Sequence, residues 1–197
     1  MWTIPNILTL IRLIAAPMVA VMFLYFARPW ADWAALILFV CAALTDWFDG
    51  FLARRWQQES QLGAMLDPIA DKAMVVIALL IITGFSGMDP WILLPAVVIL
   101  FREVFVSGLR EFLGDVAGTL GVTRLAKWKT TFQMLAIAAL FAKGIFEHHI
   151  DMAETHPLNL GMELSWIIGQ ILLWIAAILT LITGIDYFRK ALPHLRG

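Results

Sequence analysis

Apolar residues along this chain form six long stretches that are separated by short polar segments. None of these stretches contains a charged residue; they cover residues 13–27, 33–45, 73–88, 91–101, 132–142 and 164–185. Only the last exceeds the roughly 18 residues that identify a membrane-spanning helix by themselves. The other five must include adjacent polar turns to cross about 30 Å of hydrocarbon. The pattern therefore predicts an all-α membrane protein with six transmembrane helices.

Charged residues lie at alternating ends of these predicted helices. The first, third and fifth helices carry charges at their start, and the second, fourth and sixth carry them at their end. The residues concerned are Arg12, Asp46, Asp49, Arg54, Asp67, Asp71, Lys72, Arg102, Glu103, Arg110, Lys127, Lys129, Asp186 and Arg189. Because consecutive spanning helices run antiparallel, all six polar ends fall on one side of the membrane. The sequence predicts one polar chamber that faces one compartment.

Three connections lie on the other side of the membrane. Residues 28–30 and 87–90 contain Pro or Gly and predict tight turns, and residues 147–163 predict a longer loop. Arg28 and Lys143 are the only basic residues on this side. The excess of Lys and Arg on the opposite side predicts that the polar chamber and both termini face the cytoplasm. At the N-terminus, residues 2–12 favour a separate interfacial helix over the first turns of the first span.

Composition supports a membrane-embedded chain. Of the 197 residues, 61% are hydrophobic and 15% are charged, against about half and about a quarter in soluble domains. The length leaves no room for a sizeable soluble domain, so residues 1–197 are expected to form a single domain. A net charge of −1 gives no indication of a nucleic-acid partner. The single cysteine excludes an internal disulfide and a multi-cysteine metal site.

Four aspartates stand at helical spacing within or beside the second and third predicted helices. Asp46 and Asp49 are three residues apart and Asp67 and Asp71 are four apart, so each pair shares one helical face. Only residues 57–61 separate the two helices, so the two acidic faces can meet. Four carboxylates at close range need a cation to stay ionised, and an all-oxygen cluster suits Mg²⁺ or Mn²⁺. Paired ions of this kind clamp phosphoryl oxygens during an in-line displacement.

Small residues accompany the aspartates on these faces. Gly50, Ala53 and Gly63 would let a large phosphorylated ligand approach the backbone, and Arg54 could pair with a phosphate. Elsewhere in the chain, glycines are assigned to helix packing, which is their usual role in membranes. Buried carboxylates also occur in cation or proton transporters. Transport needs polar groups towards both sides, however, and the outer halves of these helices carry few.

The aspartates and their neighbours match a family pattern. The pattern is Asp46-x2-Asp49-Gly50-x2-Ala53-Arg54-x8-Gly63-x3-Asp67-x3-Asp71, and it resembles, without departure, the signature of the CDP-alcohol phosphotransferases. The resemblance implies a six-helix membrane enzyme that uses an alcohol to displace CMP from a CDP-linked donor.

The resemblance also implies roles for the signature residues. Two divalent ions, Mg²⁺ or Mn²⁺, would be bound by the four aspartates, and Asp71 would in addition act as the general base. The CDP moiety would lie against the small residues and the arginine of the signature, which are Gly50, Ala53, Arg54 and Gly63.

Four further segments resemble the phosphatidylglycerophosphate synthase branch of this family. They are Pro5-Asn6-x-Leu8-Thr9-x2-Arg12, Asp71-Lys72, Arg102-Glu103-x-Phe105-Val106-Ser107-Gly108-Leu109-Arg110-Glu111 and Lys127-x-Lys129-Thr130-x2-Gln133. This branch implies CDP-diacylglycerol as donor, sn-glycerol 3-phosphate as acceptor, a bacterial inner-membrane location and a homodimer. Arg110, Lys127 and Lys129 are then expected to bind the acceptor phosphate. A cardiolipin or phosphatidylserine type of synthase is the alternative within the family.

Overall fold

The computed structural model describes residues 4–56, 61–119, 124–153 and 156–195. Within these residues the chain forms helices and no strand. The helices are α1 (Ile4–Tyr25), α2 (Trp30–Trp56), α3 (Gln61–Phe85), α4 (Pro90–Leu113), α5 (Asp115–Thr119), α6 (Arg124–Ala153) and α7 (His156–Leu195). The prediction of an all-α protein is confirmed. Apart from the short α5, the helices follow the six apolar stretches in order.

Three segments are long and apolar enough to cross a membrane by length and composition: Asn6–Tyr25, Pro90–Leu113 and Asn159–Leu195. A shorter apolar segment, Trp30–Thr45, forms the first half of α2. Large apolar side chains are exposed on most helices, with Leu80 at 67% and Val104 at 74%. Soluble domains rarely expose apolar surface on this scale. The chain is therefore a membrane protein.

Alanine contributes much of the interior of the bundle. Ala16, Ala35, Ala136 and Ala176 are fully buried within the main apolar core. Small residues at helix interfaces let the backbones approach closely, which is the usual way helices pack in membranes. The most extensive contacts join α6 to α7, α1 to α3 and α4 to α7. Of these three pairings, the one between α1 and α3 brings the first turns of α1 to the aspartates of α3.

The two predicted tight turns are confirmed. One turn joins Tyr25, the last residue of α1, to Trp30, the first residue of α2. In the other, Gly87 and Met88 take positive φ angles of 66° and 62° between α3 and α4. The Asp89 side chain then accepts a hydrogen bond from the Trp91 amide at 2.9 Å, which caps the first turn of α4.

The predicted loop over residues 147–163 is wrong. α6 continues to Ala153 and α7 begins at His156, so almost all of this polar segment is helical. Pro157 is tolerated because the amides of the first helical turn have no intrahelical acceptor. The remaining polar residues of the segment do not by themselves end a helix.

The predicted interfacial helix over residues 2–12 is also wrong in the part that the structure describes. α1 runs without interruption from Ile4 to Tyr25. Its first turns place Asn6, Thr9 and Arg12 in buried positions, with 6%, 1% and 3% of their surface exposed. A polar face buried in the protein explains the weak hydropathy of this segment better than contact with lipid headgroups.

Candidate active site

Two of the four predicted aspartates lie side by side on α3. Asp67 and Asp71 are one helical turn apart, and their side chains are 47% and 42% exposed. The Arg12 guanidinium of α1 contacts both: Nη2 donates to Asp67 Oδ1 at 3.2 Å and Nη1 donates to Asp71 Oδ1 at 3.0 Å. The shared partner confirms that the spacing of these carboxylates places them on one face.

Thr9 completes the contact between α1 and the aspartates. Its hydroxyl donates to Asp67 Oδ1 at 2.6 Å, so this oxygen accepts from both Thr9 and Arg12. Thr9 and Arg12 are almost entirely buried while the carboxylates remain half-exposed. The two carboxylates therefore face an open space, with their partners behind them in the protein.

The predicted partners of this pair lie on α2. The backbone of Asp46, Asp49, Gly50, Ala53 and Arg54 is helical, but their side chains lie outside the part of the chain that the structure describes. Gly63 lies in α3, one turn before Asp67, and is partly exposed. Among the described side chains, no group of three Asp, Glu, His or Cys residues forms a metal site. The four-aspartate metal site stays a prediction.

The donor chemistry of the described pair fits a hard divalent cation. Asp67 and Asp71 are carboxylates, they are accessible, and each already directs an oxygen at a shared positive group. Mg²⁺ and Mn²⁺ are bound through one or two such carboxylates together with substrate oxygens or water.

A second polar cluster surrounds Glu103 of α4. Lys129 of α6 donates to Glu103 Oε1 at 2.5 Å, and Arg102 Nη1 donates to the same oxygen at 3.2 Å. All three side chains are at most 14% exposed. The position of Arg102 in the sequence predicts a partner near Glu103 or among the site carboxylates, and the structure pairs it with Glu103 itself.

Lys72 of α3 links this cluster to the aspartates. Its ammonium donates to the Ser107 hydroxyl at 2.5 Å, and that hydroxyl donates to the Glu103 carbonyl oxygen at 2.5 Å. Lys72 directly follows Asp71 in the chain, so the two groups of polar residues adjoin. We refer to Lys72, Arg102, Glu103 and Lys129 as the cationic cluster.

The cationic cluster carries three positive charges against one carboxylate. Within the described residues, Arg102 Nε is buried and has no hydrogen-bond partner. Buried charges are stable only when they are paired. Three positive charges around one largely buried carboxylate therefore favour the binding of an anion, and a phosphate monoester fits this requirement.

The three residues predicted to bind the acceptor phosphate have different surroundings. Lys129 belongs to the cationic cluster, while the Lys127 side chain lies outside the described residues. Arg110 stacks on the Tyr187 ring, with its guanidinium carbon 5.2 Å from the ring centre. Arg110 is exposed, two turns beyond Glu103 towards the end of α4. The sequence did not lead us to expect Lys72 among the residues around Glu103. Its position next to Asp71 is the signal that could have identified it.

A further ion pair lies at the other end of the bundle. Arg28 donates to both carboxylate oxygens of Asp32, with Nε at 2.7 Å and Nη2 at 2.6 Å. The Asp32 side chain is 1% exposed, and the guanidinium lies over the Phe23 and Phe85 rings at 5.7 and 4.8 Å from their centres. Because each charge is matched by the other, this pair is a structural contact between α1, α2 and α3. Sequence reasoning identified only a turn here.

Comparison with known proteins gives one family. A family model described as CDP-alcohol phosphatidyltransferase matches residues 2–182 of the chain. The match covers most of the chain and includes α1 to α6 and most of α7.

The chain is similar over its whole length to curated bacterial proteins. It is 61% identical over 217 aligned residues to the CDP-diacylglycerol–glycerol-3-phosphate 3-phosphatidyltransferase of Cereibacter sphaeroides, covering 99% of this chain and 98% of the relative. Proteins of the same name from Escherichia coli K12 and Shigella flexneri serotype 5b are each 38% identical over 192 residues, covering 96% of this chain and 95% of the relative.

Proposed function

Since this chain belongs to the CDP-alcohol phosphatidyltransferase family, we propose that it transfers the phosphatidyl group from CDP-diacylglycerol to sn-glycerol 3-phosphate. The products are phosphatidylglycerophosphate and CMP. The observation that carries this proposal is the 61% identity, over the full length of both chains, to a protein named for this reaction. The family signature and the cationic cluster beside it supply the chemistry that the reaction requires.

The four aspartates form the metal site in this proposal. Asp46, Asp49, Asp67 and Asp71 would bind two Mg²⁺ or Mn²⁺ ions, and the accessible pair on α3 supports this assignment. Bound divalent ions neutralise charge on the phosphoryl oxygens of the donor and so favour an in-line displacement. Gly50, Ala53 and Gly63 would leave room for the CDP moiety against α2 and α3, and Arg54 would pair with one of its phosphates.

The cationic cluster is the proposed binding site for the acceptor phosphate. Lys129 supplies one charge, as expected from the sequence, and Arg102 and Lys72 add two more around Glu103. Lys127 and Arg110 would extend the positive surface towards the cytoplasm. Because Lys72 adjoins Asp71, a phosphate held at the cluster would leave the acceptor hydroxyl near the aspartates.

Asp71 is the proposed general base. Its carboxylate would accept the proton of the acceptor hydroxyl, and the hydroxyl oxygen would form a bond to the phosphorus that carries the diacylglycerol. The bond from that phosphorus to the oxygen bridging to CMP would break, and CMP would leave with the bonding electron pair. Arg12 remains hydrogen-bonded to the same carboxylate and holds it in place.

The setting of the reaction follows from the same proposal. The donor is a membrane lipid, and its acyl chains would enter from the cytoplasmic leaflet. We place the chain in the bacterial inner membrane with six spans, as a homodimer, with the site and both termini in the cytoplasm. All 197 residues would form one domain.

The proposal is tested by replacing one aspartate. Asp71→Asn keeps the shape of the side chain but removes the base, so Mg²⁺-dependent CMP release should fall by about 10²-fold or more. Asp49→Asn should have a comparable effect because it removes a metal ligand. Asp186→Asn is the matched control: Asp186 forms an exposed pair with Lys190 on α7 and should keep full activity. Undiminished turnover in a folded Asp71→Asn variant would contradict the proposed mechanism.

Assays with different acceptors identify the one that this chain uses. Radiolabelled sn-glycerol 3-phosphate, phosphatidylglycerol and serine are offered in parallel with CDP-diacylglycerol. We expect label only in phosphatidylglycerophosphate. Label in cardiolipin or phosphatidylserine instead would assign the chain to another branch of the family.

A further inference from the structure

Arg12 is an almost fully buried charged group that contacts both Asp67 and Asp71. Its side chain is 4% exposed, whereas the two carboxylates that it contacts are 47% and 42% exposed. An arginine remains charged even when buried, so it must be paired. Its positive charge therefore stays beside Asp67 and Asp71, whatever else binds on their open side.

The hydrogen bonds of Arg12 fix the relative position of the two carboxylates. One terminal nitrogen bonds to each aspartate, and the planar guanidinium keeps the two nitrogens at a constant separation. Thr9 adds a second donor to the Asp67 oxygen that Arg12 contacts. Each carboxylate thus has one oxygen held by α1, and this restricts rotation of the side chain before any ligand binds.

These contacts join helices that are distant in the sequence. Arg12 lies 55 residues before Asp67 and 59 before Asp71. The packing of α1 against α3 is therefore what places the guanidinium behind the carboxylates. Partners that orient carboxylate ligands in this way typically contribute 10- to 100-fold to metal affinity or activity.

We infer that Arg12 is a positioning residue for metal binding, and that it acts with Thr9 through Asp67 and Asp71 and has no direct contact with the metal. This inference rests on the proposed function only in assigning the metal to these aspartates. Positioning requires the two terminal nitrogens of the guanidinium, because both carboxylates must be held at once. The charge alone is therefore insufficient.

Arg12→Lys separates charge from geometry. Lysine keeps the positive charge but has a single nitrogen, so it cannot hold both carboxylates in the same arrangement. Purified protein in detergent, without substrate, is titrated with Mn²⁺, and free Mn²⁺ is followed by electron paramagnetic resonance. We expect Arg12→Lys to bind Mn²⁺ about 10- to 100-fold more weakly than the unmodified protein.

Arg28→Lys is the matched control. It weakens a buried two-point arginine–carboxylate contact of the same kind, at the other end of the bundle. It should lower the thermal stability and leave Mn²⁺ affinity unchanged. If Arg12→Lys behaves in the same way, losing stability but not Mn²⁺ affinity, then Arg12 is merely structural and the inference is overturned.

Thr9→Val provides a second test in case Arg12→Lys does not fold. Valine matches threonine in shape and removes only the hydroxyl that donates to Asp67. We expect Mn²⁺ affinity between that of the unmodified protein and that expected for Arg12→Lys. Unchanged affinity in a folded Thr9→Val variant, with Arg12→Lys unfolded, would count against the inference.

The titration also distinguishes this inference from the proposed function. If the unmodified chain binds Mn²⁺ but forms no phosphatidylglycerophosphate, the proposed function fails while the role of Arg12 is still decided by the variants. If the unmodified chain makes the product and Arg12→Lys binds Mn²⁺ normally, the inference alone fails. If the unmodified chain binds no Mn²⁺, the inference is overturned directly.

Discussion

Gly144 makes room for the ion pair between Arg28 and Asp32. A Cβ atom at this position of α6 would collide with Asp32 Oδ1 and with Arg28 Nη2, at 2.5 Å from the latter. Both atoms take part in the two-point contact, and Asp32 is buried. The glycine therefore has the packing role that the sequence assigned to it, for a reason that involves charge as well as small size.

At the residue scale, Gly144→Ala should destabilise the protein. The added methyl group must displace the buried ion pair, and overpacking of this kind costs about 1–3 kcal/mol. Unfolding in mixed detergent micelles measures the loss. Gly84→Ala is the control, because no atom outside the local backbone of α3 lies within 4 Å of the position that a Cβ atom would take there, and it should cause no loss. Equal stability of the two variants would contradict this account.

Some features of the aspartate site can be predicted from the sequence, and others depend on how the helices pack. The spacing of Asp67 and Asp71 is sufficient to place them on one helical face, since helical periodicity is local. The spacing cannot identify Arg12 as their partner, because that contact depends on how α1 docks on α3. Arg102 and Lys72 are visible as charges within or beside apolar stretches, but their arrangement around Glu103 and Ser107 depends equally on helix packing.

At the element scale, the Glu103–Lys129 pair joins α4 to α6. Both side chains are largely buried, at 14% and 8% exposure. Removing Glu103 leaves both Lys129 and Arg102 without their shared carboxylate, and breaking a buried pair in this way costs about 3–5 kcal/mol. Removing Lys129 costs less, because Glu103 keeps Arg102 as a partner. When both are removed, only Arg102 loses its carboxylate, so the two losses should not add.

A double-mutant cycle tests this coupling. Glu103→Gln should lower the free energy of unfolding by about 3–5 kcal/mol, Lys129→Met should lower it by less, and the double variant should lose clearly less than the sum. Asp186→Asn with Lys190→Met is the comparison: this i,i+4 pair is 43% and 39% exposed, and its coupling should be about 0.3–0.5 kcal/mol. Additive losses at Glu103 and Lys129 would show that the pair is not coupled.

Two helix boundaries agree with the prediction because Gly or Pro marks them in the sequence. Gly87 and Pro90 mark the turn between α3 and α4, and Pro29 marks the one before α2. Residues 147–163 are polar but contain few residues that stop a helix, and they continue α6 and begin α7. Polarity indicates contact with water or protein; it does not by itself indicate an irregular backbone.

At the scale of the whole molecule, the distribution of charge gives the chain two unlike ends. The aspartates and the cationic cluster lie near one end of the helices, and the compact Arg28–Asp32 pair lies near the other. The first end has accessible carboxylates and surplus positive charge, as a site for charged substrates requires. At the second end, the opposite charges of the pair are matched. The bias of basic residues then predicts that the first end is cytoplasmic.

Cysteine labelling tests this orientation. Cys41 is exposed and is first removed as Cys41→Ser. Single cysteines are then introduced by Ala27→Cys, in the turn before α2, and by Glu111→Cys, near the end of α4; both positions are exposed. In spheroplasts, a membrane-impermeant maleimide should label the first variant directly and the second only after permeabilisation. The Cys41→Ser parent should remain unlabelled and active. Labelling of the Glu111→Cys variant in sealed spheroplasts would place the polar chamber on the outer side and contradict the charge argument.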